Sequence, residues 1–330
     1  MNNLSLIPKL LACLGIVALL AGCRGAQSGS IPQSAMKTQG RAHRESGSSG
    51  DLIYAATQFS APQGGVLVLS YPSGTLESTI TGLEIPGGLC SDRSGNVFVT
   101  DFKAATIVEY AHGGTNPINT LNDPGYFLGG CSVDVMTGSL AVSGFDDHGH
   151  GTVAIYPNAQ GTPTIYSAPT DAHYCSYDKQ GNLFVDGNES GGELAELRKG
   201  GSMFEAISLN QSIKYAGSLQ WDGTELALAV PLGAGRQKGP TTIYRVKVSG
   251  TTGTVVGTTL LYNGKTNHNS GVEVQYWLQL RTIIGADGRY AKIGLWRYPQ
   301  GGYPTHVIRQ DTNGYGITVS VAPSSSHVRE

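Results

Sequence analysis

Residues 145–152, FDDHGHGT, gather two carboxylates and two imidazoles, Asp146, Asp147, His148 and His150, among glycines. Shortly afterwards APTDAHY (168–174) brings Asp171 and His173. Imidazole nitrogens and carboxylate oxygens so close in the chain are the donor set of a divalent metal such as zinc or calcium. The same groups could exchange protons as general acid and base. The competing reading is a solvated polar loop whose Asp and Gly residues only shape turns. A third polar stretch, YNGKTNHNSG (262–271), offers Lys265, Asn267, His268 and Asn269. No nucleophile-elbow serine motif accompanies these residues.

What must position these loops is read first from composition. Charged residues make up 14 % of the chain and glycine takes 47 of 330 positions, against roughly 25 % and 7 % in an average globular protein. Few charges and many glycines favour a turn-dense β protein. Beyond residue 50 no stretch sustains a helical apolar period over three turns with caps.

The segments GLCSDRSGNVFVTDF (88–102), GGCSVDVMTGSLAVSGF (129–145) and HYCSYDKQGNLFVDG (173–187) superpose as one unit: a short strand, a turn on Asp and Gly, and an alternating strand. Asp92, Asp134 and Asp178 are expected to accept turn amides, and Gly95, Gly138 and Gly181 to supply the positive φ that such turns require. Strand–glycine turn–strand hairpins occur at 66–80, 106–121, 152–166, 193–207, 242–256 and 293–308. Over residues 51–323 this is a period of about 45 residues, the signature of a β-propeller blade of four short strands. DLIYAATQF (51–59) starts without a first strand, and GYGITVSVAP (314–323) is a first strand with nothing after it. The expected fold is therefore all-β, a six-bladed β-propeller closed by pairing of its N- and C-terminal strands, which removes the open edge.

In such a ring, second-to-third strand loops and the connections between blades share one rim, where ligands usually bind. The three polar stretches fall there, with Asp171 and His173 next in blade order to the 145–152 loop. Tyr126, Phe127, Tyr174, Tyr215 and Tyr315 lie at or near the starts of inner strands on the same rim; they suit protein or glycan contact, or blade packing.

Cys90, Cys131 and Cys175 occupy the same register on three successive inner strands, 41 and 44 residues apart. They read as small packing residues near the axis. Equivalent positions in neighbouring blades are expected to lie beyond the roughly 7 Å that a disulfide allows between Cα atoms, so free buried thiols are the expectation. Without a CxxC pair a three-cysteine metal site is disfavoured.

The stretch PGGLCSDRSGNVFVTDFKAATIVEYAHGG (86–114) resembles the NHL repeat, with its Pro and Gly lead, small apolar strand, Asp, Gly-Asn and a strand ending in Asp. The repeats at 129 and 173 match more loosely. The resemblance implies a six-bladed propeller but no single activity, since NHL-like propellers include binding scaffolds, lyases and relatives of the gluconolactonases. The gluconolactonase type implies a divalent metal held by inner-strand carboxylates and a Glu-Gly-Pro motif. That motif does not occur in this sequence, and most of its channel-mouth positions are Gly or Ser.

Residues 1–22 carry one charge, Lys9, before the apolar run LLACLGIVALLAG, which is too short for a spanning helix and reads as a secretory signal. Leu20-Ala21-Gly22-Cys23 resembles the bacterial lipobox, which implies lipidation of Cys23 as the mature N-terminus. With Arg24 rather than Asp following, the resemblance points to the outer membrane, with the outer face of the cytoplasmic membrane as the alternative. Residues 23–50 are Gly-, Ser- and Gln-rich, a tether of roughly 30 Å root-mean-square span. The tether carries a net +3, whereas residues 51–330 have 17 Lys and Arg against 23 Asp and Glu, a net −6. This suits an anionic membrane surface and disfavours nucleic acid. Residues 324–330 read as a tail. The expected protein is a monomeric cell-envelope lipoprotein with a non-catalytic binding or scaffold propeller at 51–323, its partner a protein or glycan. The alternative is a metal-dependent hydrolase or lyase centred on His148, His150 and His173.

Overall fold

The computed structural model describes residues 50–57, 64–123, 127–169, 171–187, 193–213, 217–230, 240–262, 275–287, 292–310, 312 and 316–323. Among them are strands β1 (Leu52–Thr57), β2 (Gly64–Ser70) and β3 (Leu76–Leu83), then β4 (Pro86–Ser91), β5 (Val97–Asp101), β6 (Thr106–Tyr110) and β7 (Pro117–Asn122). β8 (Phe127–Val133), β9 (Leu140–Phe145), β10 (Gly151–Tyr156) and β11 (Thr164–Ser167) follow, then β12 (Tyr174–Tyr177), β13 (Leu183–Gly187), β14 (Glu193–Leu197) and β15 (Glu205–Leu209). The last are β16 (Leu219–Trp221), β17 (Leu226–Val230), β18 (Thr241–Ser249), β19 (Thr252–Leu261), β20 (Tyr276–Gln279), β21 (Thr282–Asp287), β22 (Lys292–Arg297), β23 (His306–Ile308) and β24 (Ile317–Ser320).

These strands form four four-stranded sheets and one eight-stranded sheet. All six glycine-turn hairpins read from the sequence are antiparallel pairs. The C-terminal strand β24 pairs antiparallel with β1, Leu52 opposite Ser320. The eight-stranded sheet divides naturally in two, because the only strand pairing between β12–β15 and β16–β19 among the described residues is a short parallel one of Ser208 and Leu209 with Thr252 and Gly253. No helix among the described residues is long and apolar enough to cross a membrane.

Burial falls from the first strands of each group of four to the last, which explains the sequence pattern. Strands such as VFVTD (β5) and LFVDG (β13) are buried along their whole length and read as apolar runs, whereas outer β7 and β11 are largely exposed. Each hydrophobic cluster lies between two consecutive groups of strands. Tyr54, Val68 and Ile80 pack on Leu89, Val97 and Tyr110. Another cluster joins Ile284, Ile293 and Leu295 to Ile53, Leu69 and Val319. Because strands alternate in direction, the first-to-second turns (92–96, 134–139, 178–182, 222–225 and 280–281) project from one face, here the lower. Second-to-third turns such as 146–150 project from the upper face.

The expectation of three free thiols is corrected. Cys90 and Cys131 form a disulfide with Cα atoms 5.6 Å apart, and only Cys175 is a free, buried thiol. The cause is the closeness of β4 and β8: a Cβ on Gly88 would lie 2.6 Å from the Gly129 carbonyl oxygen. Glycine pairs thus bring equivalent inner-strand positions within disulfide reach. The serine that follows each cysteine has a common task. Ser91 Oγ donates to the Val319 carbonyl (2.8 Å), Ser132 Oγ accepts from Tyr177 N (3.0 Å) and Ser176 Oγ accepts from Trp221 N (2.9 Å). Each stitches one inner strand to that of a neighbouring sheet, satisfying backbone groups on an edge that has no strand partner.

Candidate functional site

The Asp146–His150 loop connects β9 to β10 on the upper face, and its shape follows from one carboxylate. Asp146 Oδ1 accepts the backbone N–H groups of His148 (2.9 Å) and His150 (2.8 Å), while Gly149 takes φ +84°. Asp92 and Asp178 do the same for their turns, with Oδ1 accepting amides two and four residues on, beside Gly95 and Gly181 at φ +85° and +86°. These backbone bonds are the chief reason that Asp146 is held below the ordinary carboxylate pKa.

The second oxygen, Asp146 Oδ2, lies 3.1 Å from His150 Nδ1. Two donors roughly 2.1 Å from one zinc ion at tetrahedral or octahedral angles lie about 3.0–3.4 Å apart, so this pair already has metal-bridging separation. His148 stacks near-parallel on His150, ring centroids 5.9 Å apart, and donor atoms of Asp146, His148 and His150 all lie within 4.8 Å of one another. His148 Nδ1 sits 2.6 Å from Asp147 Oδ1, leaving Nε2 for a ligand in the carboxylate–histidine arrangement of metal sites. The two imidazoles are 72 % and 77 % exposed, so the donors are accessible from solvent.

Asp171 and His173 stand outside this donor set. They pair with each other, His173 Nε2 to Asp171 Oδ2 at 3.0 Å, and the His173 ring packs on Phe145 at 5.4 Å, one residue before Asp146. The two polar groups therefore neighbour one another without merging. Of the other residues singled out in the sequence, Cys23, Tyr126, Tyr215, Lys265, Asn267, His268 and Tyr315 lie outside the described residues. Tyr174 is buried in the cluster between β12–β15 and β16–β19, a packing role.

Below His173 lies Asp186, a fully buried carboxyl that the sequence did not single out. Its Oδ1 accepts Tyr174 N (2.8 Å), while Oδ2 has no hydrogen-bond partner. Burial raises its pKa well above the ordinary value, with Asp171 adding and backbone bonds opposing. A carboxyl held up in this way keeps in the fold a proton that the unfolded chain has lost. Its contribution to stability is therefore complete below the unfolded carboxyl pKa near 4 and is lost as pH rises towards the folded value. Asp186→Asn is expected to flatten that loss, so that the variant gains on the wild type as pH is raised in denaturant titrations. Parallel pH profiles would rule this out.

The lower face holds a cup of about 420 Å³ around the ends of the inner strands, again unmarked in the sequence. Trp277 and Val133 line it with Val319 and Gln279, and Arg93 and Val321 stand at its rim. Above it Gln275, 1 % exposed, closes the axis: Oε1 accepts Leu89 N and Ile317 N (3.1 and 3.0 Å), and Nε2 donates to the Leu89 carbonyl (2.9 Å). Gln275 immediately precedes β20 in a stretch that also carries Glu273 and Gln279, so the sequence alone did not mark it.

No family model matches the sequence, and no curated protein does. The fold, by contrast, is widely shared. A chain of a nidogen/laminin complex superposes with TM-score 0.58 at 14 % identity, covering 83 % of this chain and 99 % of that one. The Swd1 β-propeller domain of Myceliophteria thermophila gives 0.51 at 10 % identity over 78 % and 83 % of the two chains. The chain folds as a β-propeller. A Bacteroides caccae protein of unknown function shares the propeller architecture at TM-score 0.58 and 9 % identity, over 82 % of this chain and 99 % of that one. At these identities the likeness concerns the fold alone.

Proposed function

We propose that the protein is a lipid-anchored, six-bladed propeller of the cell envelope that works as a binding or scaffold module through its upper rim. The six-blade count is supported by the division of the eight-stranded sheet and by the hydrophobic clusters between consecutive groups of strands. The β1–β24 pair supports closure of the ring. The Cys90–Cys131 disulfide suits the oxidising space that an exported chain reaches.

The observation that carries the reading is the place where the chain joins the propeller. Asp51 Oδ1 accepts Ala322 N (2.9 Å) and His112 Nε2 lies 2.9 Å from the Gly50 carbonyl oxygen, both on the lower side. A tether attached there leaves the Asp146–His150 loop and the Asp171–His173 pair, on the opposite rim of the propeller, unobstructed for contact with a protein or glycan. A photo-crosslinking residue replacing His148 in intact cells is expected to capture one defined partner, whereas replacement of exposed Met203 gives none. Equal capture from both positions would sink the upper-rim assignment.

A second reading rests on the Asp146, His148 and His150 donors: a metal site serving a hydrolase or lyase of the NHL-like type. Zinc bound there would supply Lewis-acid chemistry, with Asp147 orienting His148. Metal analysis of the purified, dialysed protein decides. About one zinc per chain, lost in His148→Ala, favours the enzyme; a metal-free protein leaves the binding module.

A further inference from the structure

The lower cup has the dimensions and the wall of a small-molecule site. Its volume of about 420 Å³ lies within the range of about 300–1,000 Å³ usual for such sites, and its lining is of the same kind, apolar side chains with a few polar groups. Trp277 is its centre. This residue packs at once against the cluster between β4–β7 and β8–β11 and against the cluster that joins β20–β23 to β1 and β2, yet it stays only half-buried, so part of the indole is left to the cup. Its Nε1 is spent on Gln279 Oε1 at 3.4 Å, and what the ring offers a ligand is therefore its aromatic surface. Val133 and Val319 extend that surface, while Val135 and Val321, 41 % and 42 % exposed, stand at the opening.

The charges select what can enter. Asp92 and Asp134 line the cup against one cation, Arg93, a net charge of −1. On the surrounding turns Asp178, Asp222 and Glu225 outnumber Lys179 and Arg281, so the face as a whole is negative too. Hydrogen bonds orient the two lining carboxylates without discharging them. Asp92 Oδ1 accepts Ser94 N and Asn96 N at 2.8 Å each, and its Oδ2 accepts Asn96 Nδ2 at 3.2 Å. Asp134 accepts Met136 N (2.9 Å) on one oxygen and Thr137 Oγ1 (2.6 Å) on the other. A carboxylate accepts about four hydrogen bonds, so each keeps room for a further donor, and among the described residues no Lys or Arg pairs with either.

We propose that the cup binds an organic ammonium ion, an amine whose apolar body lies against Trp277 and the valines while its N–H groups meet Asp92 and Asp134. A cation held near an indole gains from the ring quadrupole as well. A neutral molecule in the cup covers the two carboxylates without pairing them, which costs free energy, and an anion meets net repulsion. The proposal goes beyond the upper-rim reading and the metal reading and shares no residue with either.

The test uses the purified chain labelled with fluorotryptophan, in which Trp221, Trp277 and Trp296 give three fluorine resonances and Trp277→Phe identifies the one from the cup. Phenylbutylammonium, phenylbutanol and phenylbutyrate present one apolar body with a positive, a neutral and a negative end. The ammonium ion is expected to move the Trp277 resonance and to bind about tenfold more tightly than the alcohol, with the butyrate weakest. Asp92→Asn keeps an acceptor for the turn amides and removes one charge; it is expected to erase most of that preference. Arg93→Gln removes the competing cation from an exposed turn and is expected to tighten the ammonium ion about threefold. Unchanged Trp221 and Trp296 resonances show that each variant is folded. Equal affinity for the ammonium ion and the alcohol overturns the charge selection. Tightest binding by the butyrate, lost in Arg93→Gln, assigns the cup to anions and overturns the proposal. A Trp277 resonance that none of the three compounds moves overturns the site itself.

Discussion

Replacing Cys90 and Cys131 together by serine is expected to lower the unfolding free energy by about 4 kcal/mol, the chain-entropy value for a loop of this size. The disulfide joins the inner strands of two neighbouring sheets across a sequence separation of 41 residues. Without it, the unfolded chain regains the freedom of that loop, while the folded chain keeps most of its contacts, because β4 and β8 still pack through glycine pairs. Cys175→Ser is the control and is expected to leave the disulfide unchanged. Its thiol is pushed up to about 12 by burial, so it carries almost no thiolate near neutral pH and does not exchange with the disulfide. Urea titrations of the oxidised double variant, wild type and Cys175→Ser measure all three. A double variant within 1 kcal/mol of wild type would mean that the inner strands are held by packing and the serine stitches alone. The same titration in reductant checks the compartment argument, since a fold that depends on this bond is best served where thiols are oxidised.

Much of this architecture was legible in the sequence because it repeats. The cysteine–serine pairs at 90, 131 and 175 mark inner strands, and the glycine-turn hairpins mark outer ones, each by a local pattern of period two. Asp146 was legible too, as a residue that shapes its turn. Its spacing to Gly149 equals that of Asp92 to Gly95 and Asp178 to Gly181, and the three glycines share the same φ. What stayed hidden is tertiary. The disulfide depends on how closely Gly88 approaches Gly129, a distance set by how the sheets converge. The lower cup draws on turns more than 180 residues apart, from Arg93 to Gln279. Asp186 sits at the fourth position of LFVDG, where VFVTD carries Thr100, whose hydroxyl lies within hydrogen-bond distance of the Gly88 and Gly129 carbonyl oxygens. Asp186 accepts with one oxygen and leaves the other bare. No neighbouring residue in the sequence announces that difference.

Gln275→Leu is expected to cost about 3–6 kcal/mol, because it strips partners from three buried backbone groups at about 1–3 kcal/mol each, offset in part by apolar burial. The inner strand of each sheet presents an edge to the axis with no strand to pair with. Elsewhere on that edge Ser91, Ser132 and Ser176 supply hydroxyls, but Leu89 and Ile317 rely on one carboxamide reaching from the start of β20. Leucine matches the volume of glutamine and offers neither donor nor acceptor, so the loss isolates the hydrogen bonds from packing. Gln275→Glu should fall between the two, since it keeps the acceptor for both N–H groups and loses the donor to the Leu89 carbonyl, at the further cost of a buried charge or a raised carboxyl pKa. An unchanged urea m-value with a lowered midpoint would place the effect in the folded state rather than in the compactness of the unfolded chain. A cost below 1 kcal/mol would show instead that water enters the axis from the cup and satisfies Leu89 and Ile317 itself. The axis would then be a wet channel joining the two rims, and the two faces could no longer be treated as separate binding surfaces.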